Sequence, residues 1–387
     1  MEIFFSVGEP SGDQHAARLI AELRRRRPDL KVTGYGGPLM EEQGCRLQFR
    51  LTDLAVMGFL RVVPLLLKFV RLAREAKRYF REARPDAVVL VDFPGFNWWI
   101  ARYAKAHGIT VFYYLPPQLW AWAPWRIRRM RRFVDHVLCS LPFEKQWYAQ
   151  RGMSVEYVGH PFFDQVVEYP LDRCFLANYG NQGVINVGML PGSRGHEVTR
   201  NWPLMIQIMN RLFRQHPEVR FLVACYSAAH RELCEAMLAE TGLALPVTLV
   251  VGKTPEVIEI ADCCLMVSGS VSLEIVARKT PAAVIYRVGR LTKLVLRLMI
   301  PLNSITLPNI IAGRHVLPER IVSWSPNRDI AALSQLLDEW ISDRSQLDST
   351  RADLSELAER IAQPGATSRT AKLVLDRLSP PAAKKAA

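Results

Sequence analysis

Acidic residues are in short supply in this chain. Aspartate and glutamate number 37 against 50 lysines and arginines, for a formal net charge of +13 and a pI near 9.6. That balance argues against a cationic partner and for an anionic one: nucleic acid, a phosphorylated substrate or an acidic lipid surface. Cysteine is sparse and unpatterned. The seven are scattered, Cys263 and Cys264 are adjacent, and no C-x-x-C pair occurs. This excludes a zinc ribbon or a disulfide framework and predicts reduced thiols in a cytosolic protein. No uncharged apolar run approaches the roughly 18–20 residues that span a bilayer. Met1-Glu2 leads into a strand pattern without a basic n-region or a small-residue cleavage site, so no signal peptide is expected. Asp-x-Asp is missing too, and with it a carboxylate pair for holding a metal diphosphate. There is no short-period repeat and no extended low-complexity tract.

What is present is a chain of 387 residues, 49% hydrophobic and 22% charged, with enough apolar mass for two cores. Candidate strands in the first half are Ile3–Val7, Val32–Tyr35, Ala87–Val91, Thr110–Tyr114, His136–Ser140 and Val155–Val158, with helical patterns between most of them. Residues 169–182 read as a loop, and Pro161 and Pro170 bracket a junction. The alternation then restarts, with strands at Ile185–Leu190, Arg220–Ala224, Thr248–Val251, Cys264–Val267 and Ala283–Tyr286. Helices are expected at Arg200–Gln215, His230–Glu240, Pro255–Ala261, Val271–Ala277, Ile330–Ala362 and Thr367–Leu378. Short apolar strands separated by helices imply parallel, doubly wound sheets. The predicted fold is α/β, with two Rossmann-like doubly wound domains facing a cleft, the GT-B architecture of nucleotide-sugar glycosyltransferases. The expected domains are residues 1–165 and 166–364. The helix at about 365–379 is a candidate to pack back on the first, and residues 380–387 form a Pro/Ala/Lys tail expected to be disordered.

The first loop is the most informative feature. Gly8-Glu9-Pro10-Ser11-Gly12-Asp13 follows the first strand, at the sheet end where ligands bind in open α/β folds, and a helix is expected over Gln14–Arg27. It lacks the G-x-G-x-x-G spacing that offers bare N–H groups to phosphate. Glu9 and Asp13 repel phosphate and accept hydrogen bonds from hydroxyls, which suits a sugar or polyol, or proton transfer. The plainer alternative has Ser11 capping the helix and Asp13 complementing its dipole. In Val91-Asp92-Phe93-Pro94-Gly95-Phe96-Asn97, Asp92 ends a strand near the same place. Among Phe93 and Phe96 it is a candidate general base of raised pKa; the alternative is an Asx turn before Pro94. The aromatics of Gln118-Leu119-Trp120-Ala121-Trp122 suit sugar stacking or acyl chains, or equally core. His160 stands at the expected crossover, as a ligand contact or a structural histidine.

In the second half, Leu190-Pro191-Gly192-Ser193-Arg194-Gly195 follows a strand and precedes a helix. Backbone donors, a hydroxyl and a guanidinium suit a diphosphate, which Arg194 can bind bidentately. Ser268-Gly269-Ser270-Val271-Ser272-Leu273-Glu274 also follows an apolar strand. Its small residues let the backbone approach a ligand, and the helix N-terminus favours anions. Glu274, one turn in, is placed to accept two hydrogen bonds from ribose hydroxyls. The alternative reads Ser270 as an N-cap and Glu274 as surface charge.

Two segments, residues 58–84 and 286–302, mix leucine with basic residues at helical spacing. Such helices fit a membrane interface better than nucleic acid, unless Leu65, Leu66, Phe69, Val70 and Leu72 are simply core. In the second segment Arg287, Arg290, Lys293 and Arg297 surround an apolar stretch. The run Arg126–Arg132 reads as a patch for a substrate phosphate or lipid headgroup, or as a solvated face.

These motifs, with Leu54-Ala55-Val56-Met57-Gly58, Leu141-Pro142-Phe143-Glu144, Gly159-His160-Pro161 and Leu307-Pro308-Asn309, resemble in their order the lipid-A-disaccharide synthases. The resemblance runs over roughly residues 3–320. Ser270 stands where threonine is expected and Pro10 where alanine or threonine is usual; neither removes a functional group. The resemblance implies a donor, UDP-2,3-diacylglucosamine, and an acceptor, 2,3-diacylglucosamine 1-phosphate, joined through a β-1,6 bond with inversion and with no metal or cofactor. It implies Asp92 as base with Glu9 as runner-up, and Glu9 and Asp13 as supports or hydroxyl-orienting groups. UDP would be held by Gly192, Ser193, Arg194, Ser268, Gly269, Ser270, Glu274 and Asn309. The acceptor or lipid would be met by Asn97, Gln118, Trp120, Trp122, His160 and Arg287. It further implies peripheral binding to an anionic inner leaflet and no nucleic-acid partner. The rivals are another UDP-N-acetylglucosamine enzyme of the same fold, a 2-epimerase or a peptidoglycan transferase, and a nucleic-acid-binding protein.

Overall fold

The computed structural model describes residues 1–55, 62–180, 183–287, 304, 306–322 and 326–379. Val56–Gly58 of the Leu54–Gly58 motif, most of the second basic segment and residues 380–387 lie outside the described residues. The chain divides into two compact units: Met1–Asp164 with the segment from Pro364 onward, and Gln165–Gln363.

The first unit runs β1 (Glu2–Val7), α1 (Pro10–Arg26), β2 (Lys31–Gly36), α2 (Pro38–Glu42), β3 (Arg46–Arg50), α3 (Thr52–Ala55), α4 (Val62–Glu82), β4 (Ala87–Val91), α5 (Pro94–Ala106), β5 (Thr110–Tyr114), α6 (Leu119–Trp122), α7 (Ile127–Phe133), β6 (His136–Cys139), α8 (Pro142–Ala149), β7 (Glu156–Tyr157) and α9 (Phe162–Glu168), which crosses the junction. Its seven strands are all parallel, in the order β3-β2-β1-β4-β5-β6-β7.

The second unit runs α10 (Arg173–Tyr179), β8 (Ile185–Leu190), α11 (Gly195–Gln215), β9 (Val219–Cys225), α12 (Ala228–Ala239), β10 (Val247–Val251), α13 (Thr254–Ile260), β11 (Cys263–Val267), α14 (Val271–Arg278), β12 (Ala282–Arg287), α15 (Leu307–Ala312), β13 (Glu319–Val322), α16 (Pro326–Ser342) and α17 (Arg344–Ile361). Its six strands are also parallel, in the order β10-β9-β8-β11-β12-β13. The last helix, α18 (Ala366–Leu378), belongs to the first unit.

Both faces of β1 are covered, as a parallel strand requires. Ile3, Phe5 and Val7 pack with Ala16, Leu19, Ile20 and Leu23 of α1 and with Ala371 and Val374 of α18. Phe4 packs on the other face with Tyr35, Leu72, Ala76 and Phe80. Each large side chain buried in this way contributes about 1.5–3 kcal/mol. The buried Asp164 carboxylate accepts the N–H groups of Gly365, Ala366 and Thr367, satisfying the orphan donors that open α18.

Several boundaries differ from the sequence reading. The edge strands β3 and β13 escape it; β3 alternates exposed Arg46, Gln48 and Arg50 positions with less exposed ones, so its apolar signal is weak. The expected loop at 169–182 contains α10, capped by Asp172, which accepts from the N–H of Cys174 and Phe175. The expected helix 330–362 is two helices, broken where Asp343 caps α17 through the Ser345 N–H. Helix α1 starts four residues early, at Pro10, because a proline in the first turn sacrifices no helical hydrogen bond.

Candidate active site

Strand order reverses between β1 and β4 in the first sheet and between β8 and β11 in the second. At such a switch point the loops diverge and leave room for a ligand. Val7 pairs with Val91, so the Gly8 and Asp92 loops leave the first sheet side by side.

Asp92 and Phe93 both adopt left-handed backbone, with φ of 42° and 47°, and Leu115 after β5 has φ of 53°. Non-glycine residues in this region cost of order 1–3 kcal/mol each, and they persist where surrounding structure overrides the cost. Here the Asp92 carbonyl accepts from the Tyr113 hydroxyl at 2.8 Å and from Asn97 Nδ2 at 2.7 Å. The Phe93 ring lies so close to Gly8 that a Cβ there would come within 2.2 Å of it, and it packs against Phe69 and Phe96. Burial pushes the Asp92 carboxyl up to about 6, the Glu9 charge adds to the rise, and the Phe93 N–H opposes it. Glu9 is half-buried at the N-cap position of α1 without a side-chain cap bond, and Ser11 is exposed inside the helix rather than capping it.

The other carboxylate of the loop is committed elsewhere. Asp13 is buried; its Oδ1 accepts from Gly37 N (2.9 Å) and Met40 N (3.2 Å), and its Oδ2 from Leu39 N (3.0 Å). Burial raises its pKa and these three N–H groups oppose the rise. Asp13 therefore caps α2 instead of orienting sugar hydroxyls. Asn97 is likewise a brace, not an acceptor contact. Fully buried, it accepts from Ser6 Oγ at 2.6 Å and donates to the carbonyls of Ser6, Val91 and Asp92, tying β1 to β4.

Trp120 is half-buried. Its Nε1 donates to Glu144 Oε1 at 3.1 Å and its ring stands edge-on to Phe143. Glu144 is buried and pushed up to about 7 by desolvation, against the N–H groups of Leu141 and Trp120. Gln118 is half-buried at the N-cap position of α6 without a side-chain cap bond, and the side chain of Trp122 lies outside the described residues. His160 Nδ1 accepts from Phe162 N, and its ring stands edge-on to His15 at 5.9 Å. Burial pushes His160 down to about 3 and His15 to about 4, so this pair is uncharged at neutral pH.

In the second sheet Leu190 pairs with Met266, which brings the two anticipated anion loops together. Gly192 has φ of 119°, and a Cβ there would meet Glu197 at 2.8 Å. Glu197 Oε2 accepts from Ser193 N and Arg194 N, both at 3.2 Å, and its Oε1 pairs with Arg194 Nη1 at 3.0 Å. The backbone donors expected to cradle a diphosphate are thus held by the protein's own carboxylate. What the loop presents is the Arg194 side chain, 72% exposed. The facing loop is open: Gly269 and Ser270 are exposed, a Cβ on Gly269 would meet no atom within 4 Å, and Ser270 makes no side-chain cap bond. Ser268 is half-buried before it.

Glu274 is buried, not surface charge. Burial raises its pKa, and Arg278, whose Nε lies 3.0 Å from Oε1, opposes the rise. Asn309 is fully used inside the fold. Nδ2 donates to Leu317 O and Glu319 Oε1, and Oδ1 accepts from Val316 N and Leu317 N. With both donors and both lone pairs taken, it has none for a donor sugar. Arg287 is exposed and bonded to Asn201 Oδ1 and the Arg200 carbonyl. Tyr113, Glu144, Glu197 and Arg278 received no role from the sequence. Glu197 carries a local signal, the capping-box spacing from Arg194, and Glu144 closes a quoted motif. Among the described residues no group of three or more His, Cys, Asp or Glu is placed to hold a metal ion.

Helix α4 shows two apolar faces. Phe69, Leu72, Ala73, Ala76 and Phe80 enter or pack on the core. Leu66 (55%), Leu67 (71%) and Val70 are exposed, beside exposed Lys68, Arg71 and Arg74. Of the leucine-rich set, Phe69 and Leu72 face the core and Leu66 and Val70 do not; the side chain of Leu65 lies outside the described residues. No helix among the described residues is long and apolar enough to cross a membrane.

A family model described as lipid-A-disaccharide synthetase matches residues 3–375. The chain is 35% identical over 380 residues to the lipid-A-disaccharide synthase of Myxococcus xanthus, covering 98% of each chain. It is 36% identical over 375 residues to that of Anaeromyxobacter dehalogenans, covering 97% of each, and 33% identical over 378 residues to that of Geobacter sulfurreducens, again 97% of each. Among solved structures it is similar to the UDP-GlcNAc 2-epimerase of Neisseria meningitidis bound to UDP-GlcNAc, with a TM-score of 0.65 at 11% identity, covering 97% of this chain and 100% of that one. It is also similar to CalG4, the calicheamicin glycosyltransferase, with a TM-score of 0.59 at 16% identity, covering 98% and 99%. At these identities the structural likeness speaks for the fold, two Rossmann-like domains of the GT-B kind.

Proposed function

The chain belongs to the lipid-A-disaccharide synthase family, and we propose that Asp92 is the base of its reaction. The enzyme is a glycosyltransferase. It moves 2,3-diacylglucosamine from UDP-2,3-diacylglucosamine to the 6-hydroxyl of 2,3-diacylglucosamine 1-phosphate, releasing UDP. A 2-epimerase or peptidoglycan transferase of the same fold is not favoured, because the epimerase likeness is confined to architecture.

The observation that carries the assignment is the position of Asp92: at the switch point, in left-handed backbone, beside Glu9, with its carboxyl pushed up to about 6. Such a carboxylate is ionised at neutral pH and basic enough to accept a proton as charge develops on the attacking oxygen. Asp92 takes the proton of the acceptor 6-hydroxyl. O6 bonds to C1 of the donor from the face opposite the diphosphate, and the C1–O bond breaks with its electron pair leaving on UDP. Arg194 and the open N-terminus of α14 stabilise that departing charge, and Glu274 receives ribose hydroxyls. Glu9 raises the basicity of Asp92. Removing the base through Asp92→Asn is expected to lower kcat by about 10²–10⁴ with donor KM little changed. If Glu9→Gln shows that loss and Asp92→Asn does not, the base is Glu9.

We further propose that the exposed face of α4 docks on an anionic lipid surface, placing the enzyme at the inner face of the cytoplasmic membrane. Leu66, Leu67 and Val70 supply apolar insertion, Lys68, Arg71 and Arg74 supply charge. Phe69, which packs on Phe93, links that helix to the Asp92 loop. Vesicles rich in anionic lipid should sediment the wild type in a salt-sensitive way, and Leu67→Glu should reduce this severalfold. Equal sedimentation of the two proteins would refute the docking face.

A further inference from the structure

Glu274 is a buried carboxylate, and a buried charge needs an opposite charge and hydrogen bonds to persist. Arg278, one turn further along α14, supplies them from a fixed position. Its Nε donates to Glu274 Oε1 at 3.0 Å, and its Nη1 donates to Glu259 Oε2 on α13 at 2.8 Å. The side chain is only 6% exposed, so the guanidinium plane is pinned between two helices. Its Nη2 is buried and has no hydrogen-bond partner among the described residues. A salt bridge serving stability alone gains nothing from an idle buried donor, which is costly to keep. The neighbouring Glu256 is bonded at Oε1, by the Tyr169 hydroxyl and the Asp172 N–H, with Lys253 Nζ at 4.0 Å, while its Oε2 is buried with no partner among the described residues. Its presence adds negative charge near Glu274 and makes the single guanidinium more necessary.

The geometry points to Arg278 as a positioning residue for nucleotide recognition: by gripping Oε1 it keeps the Glu274 carboxylate charged and turned so that Oε2 accepts from the ribose hydroxyls of a uridine nucleotide. This rests on the reading of Glu274 as the ribose acceptor. Arg278 touches no reacting atom; it acts through Glu274.

The test measures dissociation constants of UDP, 2′-deoxy-UDP and 3′-deoxy-UDP by calorimetry, on the wild type, Glu274→Gln, Arg278→Met and Arg278→Lys, with donor kinetics alongside. A site built to bind a hydroxyl rejects an analogue lacking it, so the wild type should prefer UDP over at least one deoxy form by about ten-fold or more. Glu274→Gln and Arg278→Met should both reduce that preference to near unity, and Arg278→Lys, which cannot span both carboxylates, should fall between. Donor KM should rise about ten-fold in Arg278→Met while kcat stays within about three-fold. Should Arg278→Met fail to fold, Arg278→Lys and Glu259→Gln, which frees the other anchor, carry the same comparison. An Arg278 variant that binds all three nucleotides more weakly but keeps the full preference overturns the positioning role and leaves Glu274 as ribose acceptor. A Glu274→Gln protein that keeps the preference overturns the ribose reading itself, and the role of Arg278 with it.

Discussion

The two switch points share one topology and have opposite electrostatics. In the first unit the loops after β1 and β4 bring Glu9 beside Asp92, which sits in strained backbone with its carboxyl pushed up. In the second, the loops after β8 and β11 present an exposed guanidinium and an open helix N-terminus, and the acidic residues there are each gripped by an arginine, Glu197 by Arg194 and Glu274 by Arg278. Parallel strand order thus gives the same switch point twice, and the groups placed there differ: a carboxylate beside a like charge in one unit, arginine–glutamate pairs and an open helix N-terminus in the other.

The sharpest way to break the comparison is at Asp92. On the proposed role, turnover needs the ionised form of Asp92, so kcat/KM, which reports the free enzyme, should fall about tenfold per pH unit below about 6 in the wild type, and a kcat/KM profile flat to pH 5 would sink the assignment. Stability should move the other way. The folded-state pKa of Asp92 lies above its ordinary value of 3.8, so between those pH values the folded state binds more protons than the unfolded one. Its contribution is present at low pH and is lost as pH rises through about 6. Asp92→Asn should consequently be more stable than the wild type at pH 7, by of order 1 kcal/mol in denaturant unfolding, while losing turnover.

Next in size is the anion side: Arg194→Ala should raise donor KM about ten-fold and leave acceptor KM unchanged in steady-state kinetics. Gly8→Ala should sharpen the link between strain and chemistry. The added methyl displaces the Phe93 ring, costing about 1–3 kcal/mol of stability in denaturant unfolding and lowering kcat. The smallest effect on activity belongs to Asp13→Asn. Losing a carboxylate that caps α2 should cost about 0.5–2 kcal/mol of stability with kcat within a few-fold of wild type; a collapse of kcat at full stability would return Asp13 to the chemistry.

Much of this was legible locally. Each site loop is a strand end, a few small or charged residues and a helix start, all within about ten positions, so the pattern reveals both the loop and its place at the end of a strand. Asp92 stands out because it ends an apolar strand with Phe93 and Phe96 close behind it. Less visible was anything depending on a distant partner. Asn97 reads as a candidate sugar contact until Ser6, 91 residues away, is found bonded to it. Trp120 meets Glu144 across 24 residues, and Asp164 caps a helix about 200 residues later.

From the sequence alone followed two parallel, doubly wound units, the loops that carry their sites, and the family. These rest on short-range periodicity and on motifs whose order survives without coordinates. Only the tertiary structure decided what surrounds each of the acidic residues. The N–H groups and guanidinium groups that reach a carboxylate set how many of its lone pairs stay open. Asp13 meets the donors of α2, Glu197 and Glu274 meet arginines, and Asp92 meets a buried wall and a like charge.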